Sequence, residues 1–295
     1  MRPFRFGAVV RRAESGRAWA ERARALEGAG FDVLLVPDHL VGDRFAPVAA
    51  LAAAAAATTR LRVGTMVFAN DFRHPAVLAK EAATLDLLSD GRLEVGLGTG
   101  WLAGDYAGSG LAFDPPGVRV SRLAEAVRVL KGLWSAGPFT HDGTFYRLDT
   151  LDLHPKPVQR PHPPLVLGGG GPRMLRLAAR EADVVNLASR VRPDGTGPDA
   201  SDSGLAAFLA KIALVRASSS RPVELGTSIL DLGTSAAWSH ADTSGMAETP
   251  QVLRGTARDM ADKLLHWRAE HGLTYYVLHH ETDLPRFLPV LALLR

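Results

Sequence analysis

The sequence predicts an α/β chain that folds as an eight-stranded (β/α)8 TIM barrel, and three observations carry this prediction. First, apolar runs of strand length alternate with segments of helical period along 295 residues, which is typical of a parallel sheet built from βα units. Second, runs such as Asp32-Val-Leu-Leu-Val36 are apolar over several consecutive positions, as in strands buried on both faces. Third, the repeats number eight, which favours one closed domain over residues 1–295.

The predicted strands are the runs in which β-branched and large apolar residues concentrate. They cover residues 4–10, 31–37, 61–68, 92–98, 165–168, 183–187, 223–229 and 275–279. The sixth and seventh have the weakest patterns, so barrel closure depends on them.

The predicted helices lie near residues 16–29, 46–58, 75–88, 118–135, 172–181, 203–217, 256–271 and 284–294. The fourth has the clearest pattern, an apolar stripe at steps of three and four formed by Val120, Leu123, Val127, Leu130 and Trp134. Three segments fall outside the repeats, at 99–117, 136–163 and 231–250. They are insertions in the loops after strands four and seven, and loops are where barrels build their active sites.

The composition excludes several classes of function. The chain has no cysteine, which excludes disulfides, thiolate nucleophiles and sulfur-ligated metal sites, so redox chemistry requires a bound cofactor. The net charge is only +3, and no basic run is interleaved with aromatic residues, so no nucleic-acid partner is expected. The sequence starts without a secretory signal pattern, and its longest apolar run, at 49–57, has about half the length of a membrane span. We therefore expect a cytoplasmic protein without a membrane partner.

Polar and glycine-rich segments follow four of the predicted strands, at the carboxyl ends where barrels hold their catalytic groups. They are Pro37-Asp38-His39 after strand two, Ala69-Asn70 with Arg73-His74-Pro75 after strand three, Gly98-Thr99-Gly100-Trp101 after strand four, and residues 168–173 after strand five. The segment Gly98-Thr-Gly-Trp-Leu-Ala103 also matches a dinucleotide-binding pattern, but it follows the fourth strand instead of the first, which argues against a nicotinamide fold.

Four consecutive glycines separate strand five from the next helix: Gly168, Gly169, Gly170 and Gly171. They let the backbone approach a ligand closely while N–H groups and the positive end of the helix face it. Pro172 suits the first helical turn, and Arg173 adds a positive charge. A tight turn alone needs only one or two glycines, so this segment predicts a phosphate site.

Two clusters of titratable residues have alternative interpretations. Asp38-His39 is either a turn cap or a proton-transfer pair, since a histidine with a pKa of about 6.5 exchanges protons near neutrality and an aspartate beside it orients the ring or binds a cofactor. His279-His280-Glu281 is the cluster with metal-ligating side chains at a strand end. We interpret it as a polar rim and predict no metal site.

Taken together, these motifs resemble the luciferase-like monooxygenase superfamily, especially its F420-dependent oxidoreductases. The likeness covers about the first 190 residues well and residues 190–250 poorly. It includes segments 28–39, 58–65, 74–101, 133–134, 142–146, 154–157 and 168–171, and later the positions Gly255, Thr256 and Gly272.

The resemblance implies a cofactor, F420 or alternatively FMN, at the carboxyl ends of the strands. The resemblance implies that Asp38 contacts the cofactor ring and that His39 acts as acid or base or steers the substrate. It also implies a non-proline cis peptide at Met66–Val67 beneath the ring. The other residues implied to bind the cofactor are Ala69, Asn70, Gly100, Trp101 and residues 168–173. Trp101 stands where the sugar-phosphate dehydrogenases of the family have a glutamate, which argues against sugar-phosphate oxidation.

The resemblance leaves three functions open. The first is hydride transfer between F420 and a small organic substrate. The second is an FMN-dependent monooxygenase that uses reduced flavin and dioxygen, and the third is a non-catalytic F420-binding protein. Because related barrels commonly dimerise, we also expect a homodimer.

Overall fold

A computed structural model describes residues 2–233 and 243–295 and contains a closed parallel barrel surrounded by helices. The strands are β1 (Arg5–Val9), β2 (Val33–Val36), β3 (Arg62–Thr65), β4 (Phe68–Ala69), β5 (Leu93–Gly98), β6 (Phe139–Asp142), β7 (Arg147–Leu151), β8 (Leu165–Gly169), β9 (Val184–Leu187), β10 (Glu224–Ile229) and β11 (Leu273–Leu278). The helices are α1 (Gly16–Ala29), α2 (Pro47–Ala57), α3 (Pro75–Leu88), α4 (Ala103–Ser109), α5 (Pro116–Trp134), α6 (Pro172–Glu181), α7 (Leu205–Ser218), α8 (Ala257–His271) and α9 (Leu284–Leu294).

The barrel strands pair in the order β1-β2-β3-β5-β8-β9-β10-β11, and β11 returns to β1. The pairing of β3 with β5 closes the ring, with Val63 opposite Leu93. Strand β4 continues β3 after a non-proline cis peptide between Met66 and Val67. The predicted (β/α)8 barrel is therefore confirmed, and so are the two strands with weak patterns, as β9 and β10.

Charged side chains fill the amino-terminal end of the barrel. Glu94, which is 1% exposed, accepts hydrogen bonds from Arg62 at 2.6 Å and from Arg5. Arg5 also bonds Glu224 at 2.9 Å, and the Tyr275 hydroxyl lies 3.3 Å from Glu94. These residues stand at or near the starts of their strands, so they close the lower end of the barrel. A ligand must enter from the carboxyl ends.

Helix termini and faces follow the sequence signals. Helix α8 begins with a complete capping box between Thr256 and Asp259. On α5 the predicted stripe is buried at Leu123, Val127, Leu130 and Trp134, where it packs in the main hydrophobic core.

Two elements appear where the sequence predicts only loops. Helix α4 lies within 99–117, and the antiparallel hairpin of β6 and β7 lies within 136–163. Of the third insertion, 231–250, residues 234–242 lie outside the described residues. Within the ranges 2–233 and 243–295, no helix is both long and apolar enough to cross a membrane.

Candidate functional site

A cavity of about 430 Å³ opens at the carboxyl ends of the barrel strands. Its walls come from the ends of four strands that the sequence singles out: Asp38 and His39 after β2, Met66, Val67 and Ala69 around β4, Gly98, Gly100 and Trp101 at and after β5, and residues 168–171 at β8. The glycine-rich turn and the Asp-His pair thus share one cavity at the same rim of the barrel.

His39 is held by a carboxylate from a different element. Its Nδ1 atom lies 2.7 Å from Oδ2 of Asp105, a residue of α4 that is 2% exposed. The other oxygen of Asp105 accepts the backbone N–H groups of Leu40 at 2.8 Å and Val41 at 2.9 Å. Because the carboxylate accepts the Nδ1 proton, the Nε2 atom is left to exchange a proton with a ligand.

The surroundings of His39 favour its neutral form. Burial lowers the pKa of His39 below 6.5, and the nearby charge of Arg44 lowers this pKa further, whereas the hydrogen bond that Nδ1 donates to Asp105 raises it. The Trp101 ring stands perpendicular to the imidazole, with the ring centres 5.7 Å apart. The imidazole therefore sits in a fixed orientation against an aromatic wall.

Asp38 is committed to an ion pair with Arg73. The two guanidinium N–H groups of Arg73 donate to the two oxygens of Asp38 at 2.6 and 3.1 Å. One of these oxygens also accepts the backbone N–H of Ala69 at 3.0 Å. Asp38 thus fixes β4 against the end of β2, and the partner that orients His39 is Asp105.

The glycine-rich turn combines one crowded and one open position. A methyl group at Gly170 would lie 2.4 Å from the backbone nitrogen of Arg190, so only glycine fits there. At Gly171 an added methyl would meet nothing within 4 Å. Gly171 is also the N-cap of α6, and no side chain caps this helix among the described residues. Its first-turn N–H groups are thus available to an anion.

An apolar wall stands beside this turn in the same cavity. Met66 and Val67, joined by the cis peptide, line the cavity with Ala69. Val67 packs so closely on β5 that a methyl at Gly98 would lie 2.7 Å from its Cγ2. An apolar wall next to free amide groups fits a ligand that has a planar ring and an anionic tail.

Three residues expected at the cofactor do not line the cavity. Asn70 is buried, and its amide donates to the Tyr146 hydroxyl at 3.2 Å. Pro172 begins α6. Arg173 reaches the start of α5, where it donates to Ser121 at 3.1 Å. Any phosphate at this turn would be held by backbone groups and not by Arg173.

The structure adds residues that the sequence reasoning missed. Asp105 lies in the unpredicted helix α4, 66 positions from His39, and no spacing signals such a partner. Arg11 directly follows the predicted first strand and is a single charged residue without a motif around it. Arg44 also lines the cavity, and so does His279, which the sequence predicts to be part of a polar rim. Burial and the charge of Arg11 lower the pKa of His279 from 6.5 to about 3.

Comparisons with known proteins agree with this fold. The model of the family described as luciferase-like monooxygenase matches residues 1–203. An uncharacterized protein of Mycobacterium tuberculosis is 34% identical over 201 residues, which cover 60% of this chain and 70% of that protein.

The chain spans about half the length of two other relatives. The FMNH(2)-dependent dimethylsulfone monooxygenase of Pseudomonas fluorescens is 35% identical (60% of this chain, 50% of the relative), and the F420-dependent glucose-6-phosphate dehydrogenase of Nakamurella multipartita is 34% identical (61% and 55%).

A solved structure supports the fold over the full length. An F420-dependent secondary alcohol dehydrogenase in complex with an F420-acetone adduct superposes with a TM-score of 0.76 at 20% identity, covering 100% of both chains. At this identity the likeness concerns the fold alone. The family match covers more than half of the chain. The chain therefore belongs to the luciferase-like monooxygenase family and is an oxidoreductase of the luciferase-like type.

Proposed function

We propose that this oxidoreductase is F420-dependent and transfers a hydride between the deazaflavin coenzyme and a small organic substrate. The observation that carries the proposal is the juxtaposition of two features in one cavity: the His39–Asp105 pair and the glycine-rich turn 168–171. The relative from Nakamurella multipartita, which is F420-dependent by name, adds support.

The residues present fit a cofactor with a phosphate and a flat ring. The amide groups at Gly171 and the first turn of α6 would bind the phosphate, since no side chain of the described residues caps them. Met66, Val67 and Ala69 would support the ring. When bound, F420 supplies the carbon that gives or accepts the hydride.

Side chains that line the cavity would accept or donate the proton that accompanies the hydride. Oxidation of an alcohol removes a hydride from carbon and a proton from oxygen, and the neutral imidazole of His39 would take that proton at Nε2. Asp105 stabilises the resulting imidazolium through Nδ1. Trp101 would exclude water from the same side of the cavity. In the reverse direction His39 returns the proton to a carbonyl oxygen.

A second candidate is an FMN-dependent monooxygenase that uses reduced flavin and dioxygen. The similarity to the dimethylsulfone monooxygenase of Pseudomonas fluorescens favours it, and the phosphate turn suits either cofactor. A non-catalytic F420-binding protein is less consistent with the site, because a carrier needs no oriented His39–Asp105 pair.

A side-by-side titration of the purified chain with F420 and FMN tests the proposal. Binding is measured by fluorescence or absorbance. We expect a dissociation constant for F420 in the micromolar range and one for FMN that is weaker by about tenfold or more. Binding of FMN alone would support the monooxygenase instead. Binding of F420 with unchanged hydride transfer in His39→Gln would contradict the assigned role of His39.

A further inference from the structure

Two arginines stand at the rim of the cavity beside His39. Arg11 follows the end of β1, and Arg44 lies in the loop after β2 that also carries His39. Both line the cavity and both are half-buried. Burying part of a guanidinium costs free energy unless an anion or hydrogen-bond acceptors replace the lost water. The contacts of the two arginines therefore show whether the protein itself provides these partners.

Neither arginine has a carboxylate partner within the described ranges 2–233 and 243–295. Arg11 donates one hydrogen bond, at 3.0 Å, to the backbone carbonyl of His279. The acidic residue near it, Glu281, is bonded to Arg22 at 3.2 Å. Arg44 forms no ion pair with any described residue. Each guanidinium therefore has N–H donors that no carboxylate of the described residues accepts.

The other charged groups of the cavity wall are already satisfied. Arg190 pairs with Asp199 at 3.2 Å, and Arg192 lies 3.8 Å from a carboxylate oxygen of Asp194. The two carboxylates of the wall are Asp38, bound to Arg73, and Asp105, bound to His39. Among the described residues of the wall, Arg11, Arg44 and Arg119 have no carboxylate partner. Arg119 differs from the other two, because its guanidinium donates to the carbonyls of Thr99, Gly100 and Asp114 and lies over the Phe113 ring.

This pair lies across the barrel from the glycine-rich turn. In the ring of eight strands, β1 is four strands away from β8 in either direction. The anion that meets the turn at Gly171 is therefore not the one that meets Arg11. The cavity has two places for negative charge on opposite sides, with His39 on the side of the arginines.

We propose that Arg11 and Arg44 bind an oxyanion group of the substrate, so that the enzyme acts on small organic acids whose reacting carbon lies near His39. The inference rests on the proposed function and specifies its substrate class. Guanidinium groups match carboxylates well, because their planar N–H donors bond both oxygens. The alternative source of the anion is an acidic group of the cofactor itself, and the test separates the two.

Electrostatics around the pair agree with this assignment. Burial lowers the pKa of His39, Arg11 and His279. The charge of Arg44 lowers all three further, and the charge of Arg11 also lowers the pKa of His279. Like charges are therefore gathered at one side of the cavity, and a bound carboxylate would relieve their repulsion.

Calorimetric titration with matched acids and amides tests the inference. The probes are acetate and acetamide, benzoate and benzamide, and 4-phenylbutyrate and its amide, added in low-chloride buffer to the purified full chain. Each is measured without cofactor and again with saturating F420. The proteins are the wild type, Arg44→Gln, Arg11→Gln and the control Arg17→Gln, whose side chain is 88% exposed on α1.

We expect at least one acid to bind about tenfold more tightly than its amide, and this preference to vanish in Arg44→Gln and Arg11→Gln. Arg17→Gln should retain it, and F420 affinity should change less than twofold in all three variants.

Equal binding of every acid and its amide, or no binding of any acid, would overturn the inference. A loss of F420 affinity in Arg44→Gln would also overturn it, because the pair would then bind the cofactor. Failure of F420 to bind the wild type would instead refute the proposed function, and the cofactor-free titrations would still report on the anion site.

Discussion

The Nδ1 atom of His39 lies 2.7 Å from Oδ2 of Asp105, which joins the end of β2 to α4 across the cavity. The same aspartate binds two backbone N–H groups of the loop after His39. One buried carboxylate therefore sets both the path of the loop and the orientation of the imidazole. The protonation state and direction of His39 depend on a residue outside the barrel strands.

Asp105→Asn should lower turnover by about a hundredfold with little change in F420 affinity. The amide keeps an oxygen for the N–H groups of Leu40 and Val41, but its NH₂ group cannot accept the Nδ1 proton of His39. The imidazole then adopts the wrong tautomer or turns away. Steady-state kinetics with F420 and a turned-over substrate measure the effect.

Thermal unfolding serves as the control for Asp105→Asn. A variant that loses turnover and also unfolds far below the wild type would have lost the loop and not only the proton relay. Full activity of a folded variant would contradict the role given to Asp105.

Alanine at the two neighbouring glycines of the turn should affect different properties, stability at Gly170 and cofactor binding at Gly171. Gly170→Ala should reduce the free energy of unfolding by about 2 kcal/mol, because its methyl meets the backbone at Arg190. Gly171→Ala has open space and an ordinary backbone φ of −75°, so its stability should change by less than about 0.5 kcal/mol. Its methyl should nevertheless weaken F420 binding about tenfold by displacing the phosphate from the amides.

Denaturant unfolding and F420 titration together measure these two variants. If Gly171→Ala binds F420 as the wild type does, the phosphate does not lie at this turn.

Asp38→Asn should reduce the free energy of unfolding by about 3 kcal/mol, because it leaves the charge of Arg73 without its partner in a mostly buried site. The double variant with Arg73→Gln should recover part of this loss. As a control, Asp43→Asn removes an exposed pair with Arg12 and should cost less than about 1 kcal/mol. Equal stability of Asp38→Asn and the wild type in urea would show that the pair is not structural.

Stability should fall in mild acid partly because of His279. Its pKa drops from 6.5 in the unfolded chain to about 3 in the fold, where burial favours the neutral ring. The unfolded state therefore binds more protons, so this stabilisation is complete above pH 6.5 and is lost as the pH falls toward 3. His279→Asn should reduce the slope of unfolding free energy by up to about 1.4 kcal/mol per pH unit between these limits. Identical slopes for variant and wild type in chemical denaturation would refute this.

The sequence was sufficient to predict the barrel because its strands and helices carry local signals. The continuous apolar run before Asp38 and the stripe on α5 each reflect burial, which fixes the element whatever its partners. Helix α4 gave no such signal, since its seven residues include two glycines and present no repeating apolar face. The strands of the β6–β7 hairpin are largely exposed, so they lack the burial that marks the barrel strands.

The sequence predicts those parts of the candidate site that are formed by residues close together along the chain. The composition of the glycine-rich segment predicts a turn that the backbone can bring close to a ligand. The cis peptide at Met66–Val67, expected from the family resemblance, is confirmed. Ion pairs across distant segments, such as Asp38 with Arg73 or His39 with Asp105, follow from tertiary packing and leave no mark in spacing. A single domain, a homodimer and a cytoplasmic location stay predictions.

A crystal structure of the complex with F420 tests the central claim most directly. We expect the phosphate within hydrogen-bond distance of the amides at Gly171 and the first turn of α6, with the ring against Met66–Val67 and beside His39. A phosphate bound at Arg11 and Arg44 instead, or a cofactor outside this cavity, would contradict the account.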